Sequence, residues 1–404
     1  MRVLMLGWEF PPIYSGGLGT ACYGLTKGLS HHNVSVTFVM PTGPANVKGE
    51  YVNLLVADKI YKDKRIKIKQ IETLLVPYLT SRAYDHEYAL SMKKNGVSGI
   101  LYGRNLFDEV YRYSERVKMI AMLEDFDVVH AHDWMTYQAG IKAKKASGKP
   151  LILHIHATEF DRTGGHNLNQ YVYDIERMGF HEADRIIAVS NYTKSMVVRH
   201  YSVSPEKVTV VHNAVEFKEG PDYKIKKTDK LVLFLGRITL QKGPDYFLEA
   251  AKRVLDRDPT IKFMFVGSGD MEPRMIERAA ELGISKNVLF AGFLAGDDVN
   301  RAYHMADVYV MPSVSEPFGI TPLEAMKSGT PVIISRQSGV SEVINHVLKV
   351  DFWDTEDIAS KILALIHYKV LNNELKHHGL LEVKKFNWDI PAEKCLRVYE
   401  EVKR

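Results

Sequence analysis

Two glutamates, Glu316 and Glu324, stand in the stretch Ser313-Val-Ser-Glu-Pro-Phe-Gly-Ile-Thr-Pro-Leu-Glu-Ala-Met. Carboxylates at such a spacing can accept hydrogen bonds from the hydroxyls of one ligand. The residues between them suit an anion. Thr321 reads as a helix N-cap, Pro322 as the first helical residue and Glu324 as an acid in the first turn. The free N–H groups of such an end carry roughly half a positive charge and favour phosphate. Gly319 supplies a permissive turn before them, and Asp307-Val-Tyr-Val-Met-Pro312 reads as a buried parallel strand leading in. Two blander readings stand beside this one: Glu324 as a capping-box acid and Glu316 as a solvated loop acid.

Further cations sit upstream. Arg237 closes the apolar run Leu231-Val-Leu-Phe-Leu-Gly236, and Lys242 follows in the loop before a predicted helix, Pro244–Val254. A departing diphosphate gains negative charge as its bond breaks, and two fixed cations with a helix N-terminus would stabilise that charge. Two exposed solubilising charges are the alternative. Val266-Gly267-Ser-Gly269-Asp-Met-Glu272 half-matches a dinucleotide fingerprint, with Glu272 where its final glycine belongs.

In the first half, Trp8-Glu9-Phe-Pro-Pro and Gly16-Gly17-Leu18 follow the first strand, and paired glycines suit positive φ or close approach to a ligand. Packing alone is the other explanation. His132 and Asp133 end one strand and His156 another, which places them at one crevice of a parallel sheet. Histidines 130, 132, 154 and 156 alternate along two strands, with no acid or thiol cluster to complete a ligand set, so no metal is expected.

A chain of 404 residues is too long for one ordinary core. Its βα alternation predicts an α/β protein with parallel sheets: residues 1–217, then 218–386 after a lysine-rich connector at 218–230, then a proline-started helix within 387–404 that crosses back. A net charge of +4 argues against nucleic acid. The basic stretch Asp58–Gln70 reads as a solvated strand face, with a weak membrane contact as the alternative. The first strand is too short for a signal peptide, and the two distant cysteines predict buried thiols in a reduced, cytoplasmic setting.

Gly236-Arg237, Lys242-Gly243, Gly267-Ser-Gly269-Asp270 and Glu316-Pro-Phe-Gly-Ile-Thr-Pro-Leu-Glu324-Ala resemble the carboxy-terminal signature of retaining glycosyltransferases of family 4. Trp8-Glu9…Gly17-Leu18 and His130-Ala-His-Asp-Trp134 resemble glycogen and starch synthases of the related family 5. The resemblance implies a GT-B fold, two Rossmann-like domains facing a central cleft. By motif position, Arg237 and Lys242 would bind the donor diphosphate with the N–H groups of Gly319, Ile320 and Thr321. Glu324 would hold the ribose and Glu316 the transferred sugar. His156 would contact that sugar beside the reacting carbon, Asp133 would line the sugar side, and Gly17 and Gly267 would approach the nucleotide. The enzymes this chain resembles commonly need no metal. Tyr14-Ser15 stands where bacterial glycogen synthases carry a lysine and a threonine, so ADP-glucose and UDP-glucose both remain as donors.

The leading expectation is glucose transfer to an α-1,4-glucan. The alternative is transfer to a lipid-linked or small polar acceptor. An NAD-dependent oxidoreductase would need the glycine missing at Glu272, and a silent sugar-binding module would not need a leaving-group clamp.

Overall fold

The computed structural model describes residues 1–11, 16–41, 52–56, 106–216, 223 and 229–403. The basic stretch 58–70, Tyr14-Ser15 and most of the 218–230 connector lie outside them.

Two parallel sheets form among the described residues. In the first, β1 (Arg2–Leu6), β2 (Ser35–Met40), β3 (Asn53–Val56), β4 (Val128–His132), β5 (Leu151–Ile155), β6 (Arg185–Ala188) and β7 (Val208–Val210) lie in the order β3-β2-β1-β4-β5-β6-β7. In the second, β8 (Leu231–Leu235), β9 (Lys262–Val266), β10 (Val288–Phe290), β11 (Val308–Met311), β12 (Val332–Ser335) and β13 (Leu348–Val350) lie in the order β10-β9-β8-β11-β12-β13. Their central strands are near-continuous apolar runs because helices cover both faces. The helix Pro244–Leu255 shows how: Phe247, Leu248, Ala251 and Val254 recur at helical spacing, and all are buried against the sheet.

Strand order reverses direction between β1 and β4 in one sheet and between β8 and β11 in the other. A parallel sheet leaves a crevice at the carboxyl ends of such neighbours. The loops that open there are the ones with the polar motifs: the described residues 7–11 and His132-Asp133 in the first sheet, residues 236–243 and 312–320 in the second.

Three local expectations change. The first helix spans Gly17–His31 with Gly16 as its N-cap at φ −96°, so neither paired glycine is there for positive φ. Gly16 is required by closeness instead, since a Cβ would sit 2.8 Å from Glu9 Oε2. The helix Thr321–Lys327 is capped by Ile320, without a side-chain cap, and Thr321 is its first residue. The last helix, Asp389–Lys403, starts ahead of Pro391 and packs on Gly17–His31, with the Trp388 indole covering Gly24.

Candidate functional site

The second domain's share of the crevice is charged and paired within itself. Lys242 Nζ donates to Glu316 Oε2 at 2.5 Å, and Ser313 Oγ donates to the same oxygen at 3.1 Å. Glu316 is 6% exposed, so it is not the solvated loop acid that its neighbours in sequence allow. Beside this pair, Arg237 Nη2 donates to Gln241 Oε1 at 2.9 Å, and Gln241 Nε2 donates to the Ser315 carbonyl at 3.1 Å. Gln241, buried between the two motifs, thus ties the arginine to the glutamate loop. Gly243 turns the chain back at φ +67°, with the Pro312 carbonyl 2.1 Å from where a Cβ would stand. Gly319 at φ +99° makes the turn into the helix of Glu324. Gly267 lies against the Gly236 carbonyl at the end of β9.

Glu324 is not a capping-box acid. Its Oε2 accepts from the Tyr303 phenol at 2.9 Å, and burial pushes its carboxyl above the usual range, offset in part by that hydrogen bond and by Lys327. Thr321 Oγ1 accepts from Tyr309 at 2.8 Å.

The first domain's share is neutral imidazole and buried acid. The rings of His130, His132, His154 and His156 stack along adjacent strands, with neighbouring centroids 4.3 to 5.3 Å apart. Burial holds all four below their ordinary pKa, and neighbouring imidazoles push His130, His132 and His154 further down. His132 Nδ1 and His156 Nε2 share a hydrogen bond of 2.9 Å, and His130 Nδ1 meets the Tyr399 hydroxyl at 2.7 Å. The structure corrects the expectation that no thiol joins these rings: Cys22 offers its sulfur within 4.8 Å of the ring nitrogens of His132 and His156. A second trio, His130, His132 and His154, converges as closely. Both cysteines are free and buried.

Asp133 holds this wall in register. Its Oδ1 accepts from the backbone N–H of His156 at 2.7 Å and of Ala157 at 3.3 Å. Its backbone sits at φ 59°, ψ 166°, a region nearly reserved for glycine, so the site stores strain there. Glu9 bonds the N–H groups of Gly16 at 2.9 Å and Gly19 at 3.1 Å, shaping the start of the first helix. Burial raises the Glu9 carboxyl, while those N–H groups and the charge of Arg237 from the opposite domain pull it back. Gly17 is exposed, and a Cβ on it would meet no atom within 4 Å.

The two domains touch around the loop that carries Glu316. Ser315 Oγ donates to Asp161 Oδ1 at 2.6 Å, Tyr192 Oη lies 2.9 Å from the same hydroxyl, and Ser190 Oγ donates to the Pro317 carbonyl at 2.6 Å. Glu342 accepts from the backbone N–H groups of Asn191 and Tyr192 at 2.9 and 2.7 Å. The structure therefore brings Arg237, Lys242 and Glu316 together, sets Glu324 on the adjoining helix, and places Asp133 and His156 on the facing wall. Sequence reasoning assigned no role to Glu9, Asp161, Gln241 or Tyr303. Only Asp161 had a local signal, the capping-box spacing from Thr158, and that box is formed.

Residues 216–379 match the family model "Glycosyl transferases group 1", and residues 72–219 match "Glycosyltransferase Family 4". An uncharacterised glycosyltransferase of Methanocaldococcus jannaschii is 29% identical over 99% of this chain and 98% of its own length. The glycogen synthase of Mycobacterium tuberculosis is 25% identical over 85% of this chain and 80% of its own. Among solved structures, sucrose-phosphate synthase from Thermosynechococcus elongatus superposes with a TM-score of 0.77 at 18% identity, over 99% of this chain and 98% of its own. Among the described residues, no helix is long and apolar enough to cross a membrane.

Proposed function

The chain belongs to the glycosyltransferases of the GT-B fold, and we propose that it moves glucose from ADP- or UDP-glucose to the non-reducing end of an α-1,4-glucan, with retention at the anomeric carbon. Residues 218–386 hold the donor and residues 1–217 the acceptor, in a cytoplasmic enzyme that requires no cofactor. The observation that carries this reading is the Lys242–Glu316 pair at the switch point of the second sheet. A diphosphate can take Lys242 as its counter-ion, which frees Glu316 to accept from hydroxyls of the transferred sugar. Arg237 stands beside them, held by Gln241.

The C–O bond to the diphosphate breaks with its electron pair going to the phosphate oxygen, the oxygen of the acceptor hydroxyl bonds the anomeric carbon, and the hydroxyl proton passes to the departing phosphate oxygen. Fixed cations act on the charge that grows at the leaving oxygen, and they need no reorganisation to do so. His156 and Asp133 line the sugar side. His156 is held neutral by burial, so it can accept from or donate to a sugar hydroxyl without adding charge. Contacts between the domains at Ser315–Asp161 exclude water beside the same loop, which limits donor hydrolysis.

The test is nucleoside diphosphate release from UDP-glucose and from ADP-glucose, each with and without a maltooligosaccharide, followed by sizing of the oligosaccharide. Acceptor-dependent release with lengthened product is expected, and it names the base. Release driven only by a small polar or lipid-linked acceptor overturns the glucan assignment. The similarity to the M. tuberculosis glycogen synthase supports the glucan.

A further inference from the structure

We infer that Tyr303 is a positioning residue that orients Glu324 toward the donor ribose, an inference that rests on the ribose reading of Glu324. Tyr303 lies on the helix Asp297–Met305, between the motifs at 267–272 and 313–326 in the chain, and is 1% exposed. Its phenol donates to Glu324 Oε2 at 2.9 Å. The other carboxylate oxygen has no hydrogen-bond partner among the described residues, and Glu324 is only partly covered.

Two further contacts fix the tyrosine itself. Its ring meets Tyr309 edge to face, with centroids 5.7 Å apart and planes at 73°. Its backbone carbonyl accepts from Thr330 Oγ1 at 2.7 Å, which ties the end of its helix to the segment after Glu324. Tyr309 in turn donates to Thr321 Oγ1 at the start of the same short helix. Two buried phenols thus brace the carboxylate and the turn that presents it, both from the core side. Burial pushes both phenols up in pKa, so each remains a donor across the working pH range.

A ribose diol offers two adjacent hydroxyl donors, which one carboxylate can accept if its plane is fixed. A glutamate side chain left free must lose rotamer freedom on binding, and a second-layer donor removes that cost beforehand. Held at Oε2 by the phenol, Glu324 has a set orientation toward the diol before the nucleotide arrives. Without the phenol, both ribose and deoxyribose nucleotides should still bind through phosphate and base, but the preference for ribose should shrink.

The experiment compares affinities for the ribose and 2′-deoxyribose forms of the nucleoside diphosphate by calorimetry. It uses the wild type, Tyr303→Phe, Glu324→Ala and the double variant, with melting recorded for each. Tyr303→Phe keeps the ring and removes one oxygen. It is expected to cut the ribose preference by about 3- to 10-fold, the range of one lost hydrogen bond, with little change for the deoxyribose form. Glu324→Ala should abolish the preference, and adding Tyr303→Phe to it should change the preference no further. A Tyr303→Phe variant with undiminished preference overturns the inference while the ribose reading stands. A Glu324→Ala variant that keeps its preference overturns the ribose reading and the inference with it. A loss of melting temperature without a change in preference makes Tyr303 a packing residue only.

Discussion

The two walls of the cleft recognise by opposite means. On the second-domain wall, Lys242 and Glu316 pair with each other at 2.5 Å, and the proposed function has a diphosphate and a sugar exchange into that pair. On the first-domain wall, His130, His132 and His154 are buried and neutral, and His156 alone of the four rings reaches solvent. Asp133 there spends one oxygen on the backbone of its own wall. A wall of paired charges answers the charge of a ligand. A wall of neutral rings on strand ends answers its shape and hydroxyls, because its groups are fixed before anything binds. The difference matches what bond breaking demands: new charge appears on the phosphate side only.

Removing charge should therefore do most harm on one wall. Lys242→Ala is expected to lower turnover on the order of 100-fold, measured as nucleoside diphosphate release at saturating donor. Near-normal turnover would remove the diphosphate from Lys242.

Stability should also separate the walls. Gly243→Ala forces a side chain to φ +67° and against the Pro312 carbonyl, so a loss of about 1–3 kcal/mol is expected in denaturant melts. An unchanged midpoint would mean that the turn between Arg237 and the Glu316 loop is free to shift.

The neutral wall predicts an acid weakness. Burial depresses the histidine pKa values in the folded state, so unfolding takes up protons below the ordinary imidazole value of about 6.5. This contribution is complete above that pH and is lost as pH falls below it. Buried acids such as Asp161, raised by burial, respond in the other direction, so the comparison is made against a variant. Between pH 7.5 and 5.5, His154→Leu should lose less melting temperature than the wild type. An equal loss would make the rings bystanders.

The smallest structural effect is expected at Gly17. Its Cβ position is empty and its φ is not left-handed, so Gly17→Ala should leave melting within error or slightly raised. A fall in donor affinity in that folded variant would show that a ligand approaches the backbone there, and unchanged affinity would remove Gly17 from the site.

Strand ends and their polar residues were legible in the sequence because apolar runs stop where the crevice begins, as at Gly236-Arg237 and His132-Asp133. Helix starts were less so. Thr321 has the composition of a cap, yet its hydroxyl is taken by Tyr309, twelve residues back in the chain, and Ile320 occupies the cap position. Glycines mislead in a similar way: Gly16 and Gly17 suggest unusual backbone, whereas Gly16 only makes room for the Glu9 carboxylate. Contacts such as Asp161–Ser315 and Tyr303–Glu324 join distant parts of the chain, and no local spacing announces them. Cys22 joins His132 and His156 for the same reason, through the packing of the first helix on the sheet.

The central claim, that the charged second-domain wall rather than the histidine wall holds the leaving diphosphate, is tested most directly by calorimetric binding of UDP and ADP to the wild type, Lys242→Ala and His156→Ala. The account predicts that Lys242→Ala weakens the bound nucleotide by about tenfold or more, as expected for a lost hydrogen bond to a charged group. It predicts that His156→Ala binds the nucleotide as the wild type does while losing turnover. Equal weakening in both variants, or none in Lys242→Ala, would contradict the division of the cleft.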